Sequence, residues 1–239
     1  MFSSLVFGFI FGLQHAFETD HLAAISSLIA GKTGVKRLAG QGMAWGLGHT
    51  LTLALVGGTL IFCKMKLDEK ATSSLELAVG AMLLCLGGHV FYRLWRERIH
   101  VHVHTHAEER ARHFHVHSHR MDVMPHAQSK HIHDHSHNLM RPLAIGIMHG
   151  LAGSGAMAVL AAATFDTVAM SLVFLLLFGL GSIAGMGAMS AFLAVPLTFT
   201  ARSLTIVNRC LQVGAGAFSL AVGVAVTWQN AILLLGFSR

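Results

Sequence analysis

Charge is scarce in this chain. Only 12% of its 239 residues are Asp, Glu, Lys or Arg, while 54% are apolar. That balance leaves too little polar surface to cover a soluble globule. Cysteine is also sparse: Cys63, Cys85 and Cys210 are scattered, with no CxxC pair. This excludes a disulfide framework and a zinc ribbon, and the three read as small apolar packing residues. No Gly-x4-Gly-Lys-Ser/Thr run is present, so the chain has no phosphate-binding loop with which to hydrolyse ATP. The N-terminus lacks a basic stretch and a small-residue cleavage site. It reads as a retained span, not a removed signal peptide.

What is abundant is apolar sequence in runs of twenty or so residues, the length that crosses a bilayer as a helix. Six spans are predicted at 2–30, 40–62, 72–95, 142–164, 168–199 and 206–236. The expected fold class is an all-α polytopic membrane protein of six transmembrane helices. The fifth span is too long for an upright helix, which predicts tilt, a break or a bend.

The excess of 17 basic over 11 acidic residues lies in loops, where it reports orientation and not nucleic-acid binding. Lys32, Lys36 and Arg37 follow the first span, Arg93, Arg96 and Arg98 the third, and Arg202 and Arg209 the fifth. These loops are expected to face the cytoplasm, with both termini outside, in an inner-membrane, multi-pass protein.

Sliding the chain against itself by 133–134 positions aligns GLQHA (12–16) with GIMHG (146–150), WGLGH (45–49) with FGLGS (178–182), and AVGAMLLCL (78–86) with QVGAGAFSL (212–220). A repeat of three spans enters the membrane from opposite sides in its two copies, so the arrangement predicted is an inverted 3+3 pair. Such pairs bind their cargo near the midplane. The units are 1–96 and 142–239, joined by a hydrophilic segment at 97–141. In this alignment His15 pairs with His149, His49 faces Ser182 and His89 faces Gly223. The first copy carries more ligands.

The sharpest motif is HAFETDH at 15–21. Ionisable residues in hydrocarbon are expensive and commonly line an ion path. His15, Asp20 and His21 offer the nitrogen and oxygen ligands that suit a divalent first-row metal, and Glu18, three residues from each imidazole, can orient either. On an ideal helix His15 and His21 point about 240° apart and His15 and Asp20 about 140°. Either the helix unwinds here or the residues serve different steps. His49 in span two and His149 in span four complete the candidate set. His89 and Ser154 are auxiliary candidates, and the glycines of GLAGSGAM (150–157) permit close backbone approach or a helix break. By depth, His21, His89 and His149 are expected toward the cytoplasmic half, making a polar track inward from the midplane.

The segment 97–141 carries thirteen histidines, including His100, His102, His104, His106, His115, His117, His119, His131, His133, His135 and His137. It has few large apolar residues and is expected to be a disordered cytoplasmic loop. Alternate histidines along an extended chain can chelate a divalent ion, as neutral imidazoles and hence less well below about pH 6.5.

The His-x4-Asp-His pattern of HAFETDH in a transmembrane helix resembles the signature of the nickel/cobalt transporter (NiCoT/NicO) superfamily. The six-span layout, GLGHT in span two and HGLAGSGAM in span four resemble its short urease-accessory type of nickel permease. The resemblance covers the membrane portion and leaves out 97–141. It implies that His15, Asp20 and His21 recognise the metal, that His49 contributes, and that Ni2+ or Co2+ is a transported substrate and not a prosthetic group. The chain lacks the additional spans and the LGFDT-type motif of longer relatives.

The resulting expectation is a nickel or cobalt permease, with uptake favoured and efflux by the same fold as the alternative. Its partners are the metal ion, the bilayer, and a metallochaperone or accessory subunit as a candidate; oligomeric state is not readable. Two other classes use related residues. A thiol-redox carrier needs cysteines where His15 and His149 stand, and a metallohydrolase would use the same ligands to activate water on zinc.

Overall fold

The first expected span is two helices with a break between them. In the computed structural model, which describes residues 2–65, 68–96, 99–104, 113–118, 139–150 and 154–236, α1 (Phe2–His15) ends where the metal-ligand motif begins and α2 (Thr19–Ile29) starts within it. There follow α3 (Val35–Phe62) and α4 (Glu69–Arg96), then α5 (Met140–His149), α6 (Ser154–Ala162), α7 (Val168–Ser203) and α8 (Thr205–Leu234). The fourth expected span holds α5 and α6, and residues 151–153 between them lie outside the described residues.

Among the described residues, four helices are long and apolar enough to cross a membrane: Val35–Phe62, Glu69–Arg96, Val168–Ala201 and Thr205–Leu234. The second span begins at Val35, five residues earlier than expected. The long fifth is one continuous helix of 36 residues that absorbs Pro196 near its end. A proline there removes one backbone donor, and the Thr200 hydroxyl donates to the Pro196 carbonyl at 2.7 Å.

Helices α1 and α3 pack on α7, α5 packs on α3, and α4 packs on α8, with α2 wedged against α8 and α4. One buried apolar cluster joins Ile25, Leu28, Trp45, Leu83 and Met186; a second joins Leu53, Ala158, Phe174 and Phe178. Large apolar side chains such as Phe62, Phe192 and Ile206 remain exposed on the outside, as a bilayer-facing surface requires.

Glycine sets how closely the central helices approach. A Cβ on Gly12 would collide with the Phe178 carbonyl, and one on Gly146 with the Trp45 carbonyl. A Cβ on Gly48 would strike the Leu143 carbonyl and lie 2.9 Å from the Ile147 nitrogen; one on Gly181 would strike the Phe9 carbonyl and lie 2.9 Å from the Leu13 nitrogen. The turn joining α2 to α3 needs glycine for another reason, since Gly31 and Gly34 have φ of 68° and 97°. Above that turn Arg93 donates to the Ala30 carbonyl, neutralising a C-terminal acceptor of α2.

The described residues within 99–118 of the histidine-rich segment are two short strands. Strand β1 (Ile99–His104) pairs antiparallel with β2 (His113–Ser118), placing His100 opposite His117, His102 opposite His115 and His104 opposite His113. Alternating His with Val or Phe gives these stretches the period-2 pattern and β-branched content of a strand. His106, His119, His131, His133, His135 and His137 lie outside the described residues.

Candidate metal site within the helix bundle

The break in the first span solves the directional problem of HAFETDH. At the end of α1 the backbone tightens, with Phe17 N–H donating to the Gln14 carbonyl at 2.9 Å and Glu18 N–H to the His15 carbonyl at 3.1 Å. Glu18 is extended (φ −64°, ψ 154°), and α2 restarts with Asp20 in its first turn, where the helix N-terminus favours a carboxylate. Three non-helical residues turn His15 and His21 toward each other, and their ring centroids come to 4.4 Å.

The other two imidazoles arrive on α3 and α5. His49 is followed by a wide π-type turn, Leu53–Gly57, a feature frequent at functional sites. The Thr52 hydroxyl lies 3.0 Å from the Ile147 carbonyl, to which it can donate, tying α3 to α5 beside His149. A Cβ on Gly150 would collide with the His49 carbonyl, so this glycine admits the close approach expected of GLAGSGAM.

Five of the sequence-predicted ligands converge. His15, His21, His49 and His149 are each at most 3% exposed. Their ligand atoms fall into two groups, His15 with His21 and His49, and Asp20 with His21 and His149, each within 4.8 Å. The expected inward track of polar residues is instead a compact cluster. Glu18 holds His15, Oε1 to Nδ1 3.0 Å. His89 is exposed and joins neither group. Ser154 begins α6, and its side chain lies outside the described residues.

The hydrogen bonds assign the protons. Ionised carboxylates accept, so His15 Nδ1 donates to Glu18 and leaves Nε2 with a lone pair. His49 Nε2, 3.2 Å away, then donates to it. His21 Nδ1 and the His21 backbone N–H donate to Asp20 Oδ1 at 3.0 and 2.9 Å, and His149 Nε2 donates to Asp20 Oδ2 at 2.9 Å. The nitrogens left over, His21 Nε2, His49 Nδ1 and His149 Nδ1, are buried with no partner among the described residues. Buried polar atoms are normally satisfied; several imidazole nitrogens left over in one cluster are donor atoms that a transition-metal ion can use.

Trp45, which sequence reasoning used only as part of a repeat, forms a wall of this site. Its indole ring lies 5.3 Å from His21 and 5.5 Å from His149. The signal was available: Trp45 is four residues before His49, on the same helix face. Its counterpart in the repeat alignment, Phe178, lies 5.1 Å from His15.

Four imidazoles and one carboxylate select borderline transition metals over magnesium or calcium, which prefer all-oxygen shells. Long apolar helices around such a core define a multi-pass membrane protein that handles a transition-metal ion. The chain belongs to the NicO family: the family profile, described as a high-affinity nickel-transport protein, matches residues 1–234. It is also 32% identical over 224 residues, 94% of this chain and 90% of the relative, to the urease accessory protein UreH of Bacillus sp. (strain TB-90). No solved structure matches it. It is a nickel permease and not an enzyme.

Proposed function

We infer that this permease takes up Ni2+, and accepts Co2+, through a site of His15, Asp20, His21 and His49 with His149 from the second half. The observation that carries this reading is the convergence of these five side chains, drawn from α1, α2, α3 and α5, on one buried cluster. Nickel suits such a nitrogen-rich set. An inside-negative potential of 100 mV favours entry of a divalent ion by about 4.6 kcal/mol, twice the single-charge value. Uptake therefore needs no ATP, whereas efflux would need coupling to another gradient.

The architecture inferred is six spans in an inverted 3+3 repeat, with α1–α2 and α5–α6 as the two broken spans. Broken helices at related positions are the usual mark of a transporter site. The matched collisions at Gly12 and Gly146 and at Gly48 and Gly181 support it, as do the matched ring pairs Phe178 with His15 and Trp45 with His149. The basic loops support an inner-membrane orientation with both termini outside. In that orientation the histidine-rich loop is cytoplasmic, where it captures incoming metal or passes it to a metallochaperone or accessory subunit. Its deletion is expected to alter metal retention in cells and leave the flux affinity of purified protein unchanged.

Direction is tested with nickel-63 and oriented proteoliposomes. Uptake predicts flux toward the cytoplasmic face that grows with an imposed inside-negative potential. Flux only toward the opposite face, driven by a proton gradient, would establish efflux instead.

A further inference from the structure

Two groups of ligand atoms, not one, meet at His21. The ligand atoms divide into His15, His21 and His49 on one side and Asp20, His21 and His149 on the other, and only His21 belongs to both. An imidazole's two nitrogens point to opposite edges of its ring, so one ring cannot present both to a single ion. His21 Nδ1 is turned to Asp20 at 3.0 Å, while Nε2 is buried and has no partner among the described residues. The His49 and His149 rings stand 6.2 Å apart, whereas His21 lies 4.2 Å from His149 and 4.4 Å from His15. The ring of His21 stands between the two sets.

We propose that nickel crosses the protein by passing over His21, from a three-imidazole position formed by His15, His21 and His49 to a carboxylate-containing position formed by Asp20, His21 and His149. In the first position His21 binds through Nε2 while Asp20 accepts from Nδ1 and steadies the ring, as outer carboxylates do for metal-bound histidines. In the second, the ion replaces the protons between Asp20 Oδ1 and His21 Nδ1 and between Asp20 Oδ2 and His149 Nε2. The ring proton of His21 then resides on Nε2, and that of His149 on Nδ1, the atom now without a partner. Asp20 changes from an orienting group to a ligand. Two divalent charges on one imidazole repel strongly in this poorly screened interior, so the positions are occupied in turn. The helices bearing the outer ligands of each position, α1 for His15 and α5 for His149, both end at the cluster.

This proposal rests on the nickel-uptake reading, and the test keeps the two apart. The full chain in nanodiscs is titrated with Ni2+, with Trp95 and Trp228, both exposed, replaced by Phe so that Trp45 alone reports quenching; flux is measured in proteoliposomes. His149→Gln is expected to keep the Ni2+ affinity read by Trp45 quenching within about threefold of wild type while flux falls at least about tenfold, the scale of losing one partner at a metal site. His49→Gln is expected to weaken binding at least about tenfold. Retained binding in His149→Gln also certifies its fold. Equal loss of binding in both variants would mean one shared site and overturn the relay, as would wild-type flux in His149→Gln. A parent protein that binds and moves no nickel would overturn the uptake reading itself, and the relay with it.

Discussion

His15 Nε2 and His49 Nε2 lie 3.2 Å apart in the core of the bundle, although 34 residues separate them. Two imidazoles at that distance share one proton, and a divalent ion that displaces it gains two nitrogen ligands already in place. His49→Ala should therefore weaken nickel binding at least about tenfold, and Glu18→Ala, which frees His15 Nδ1, by about 10–100-fold. Glu18→Gln keeps an acceptor for His15 and should recover most of that loss. Ni2+ quenching of Trp45, in protein whose Trp95 and Trp228 are replaced by Phe, checks all three.

The close approach of α5 to α3 is set by glycine. Gly146→Ala places a methyl group against the Trp45 carbonyl, whereas a Cβ on Gly40 meets nothing within 4 Å. Backbone cannot yield as a flexible side chain does, so Gly146→Ala should lower the unfolding midpoint and abolish flux. Gly40→Ala, within α3, should stabilise by about 0.5–1 kcal/mol through reduced chain entropy. A thermal-shift comparison in detergent, with flux alongside, separates the two.

Much of this site is legible in the sequence because charged and imidazole side chains stand out against hydrocarbon. His15, Asp20, His21, His49 and His149 stand out by their cost, and the 240° conflict between His15 and His21 left two alternatives, a break or separate steps, between which only the extended Glu18 decides. Trp45 was harder to see, since an aromatic residue in an apolar helix carries no cost that betrays a role and only its four-residue spacing from His49 pointed to the site. The division into two ligand groups was also hidden, because it depends on which edge of the His21 ring faces Asp20. His89 misled for the opposite reason: it bears the right chemistry but lies on an exposed face of α4. The β1–β2 pairing escaped notice because composition weighed against structure while the period-2 pattern of His and Val favoured it.

Lys32, in the turn after α2, is pushed down to about 8 from an ordinary 10.5, first by burial and then by Arg141, Arg37 and Arg93. Its ammonium donates to Gln41 Oε1 at 3.0 Å. Because the folded value lies below the unfolded one, charged Lys32 opposes folding. That penalty is full below about pH 8 and is relieved as pH rises toward 10.5, where the unfolded chain binds the extra proton. Acylation of Lys32, followed by mass spectrometry across a pH series, should be half-maximal near pH 8. A midpoint near 10.5 would show that burial and its cationic neighbours do not act on it.

The central claim, that nickel crosses the membrane on intramembrane imidazole and carboxylate ligands, is tested most directly by nickel-63 flux into oriented proteoliposomes under an imposed potential. Wild type is compared with His15→Ala and Asp20→Asn. Potential-driven inward flux is expected in wild type, with its loss by at least about tenfold in both variants while they remain folded by thermal shift. Wild-type rates in either variant would contradict that claim.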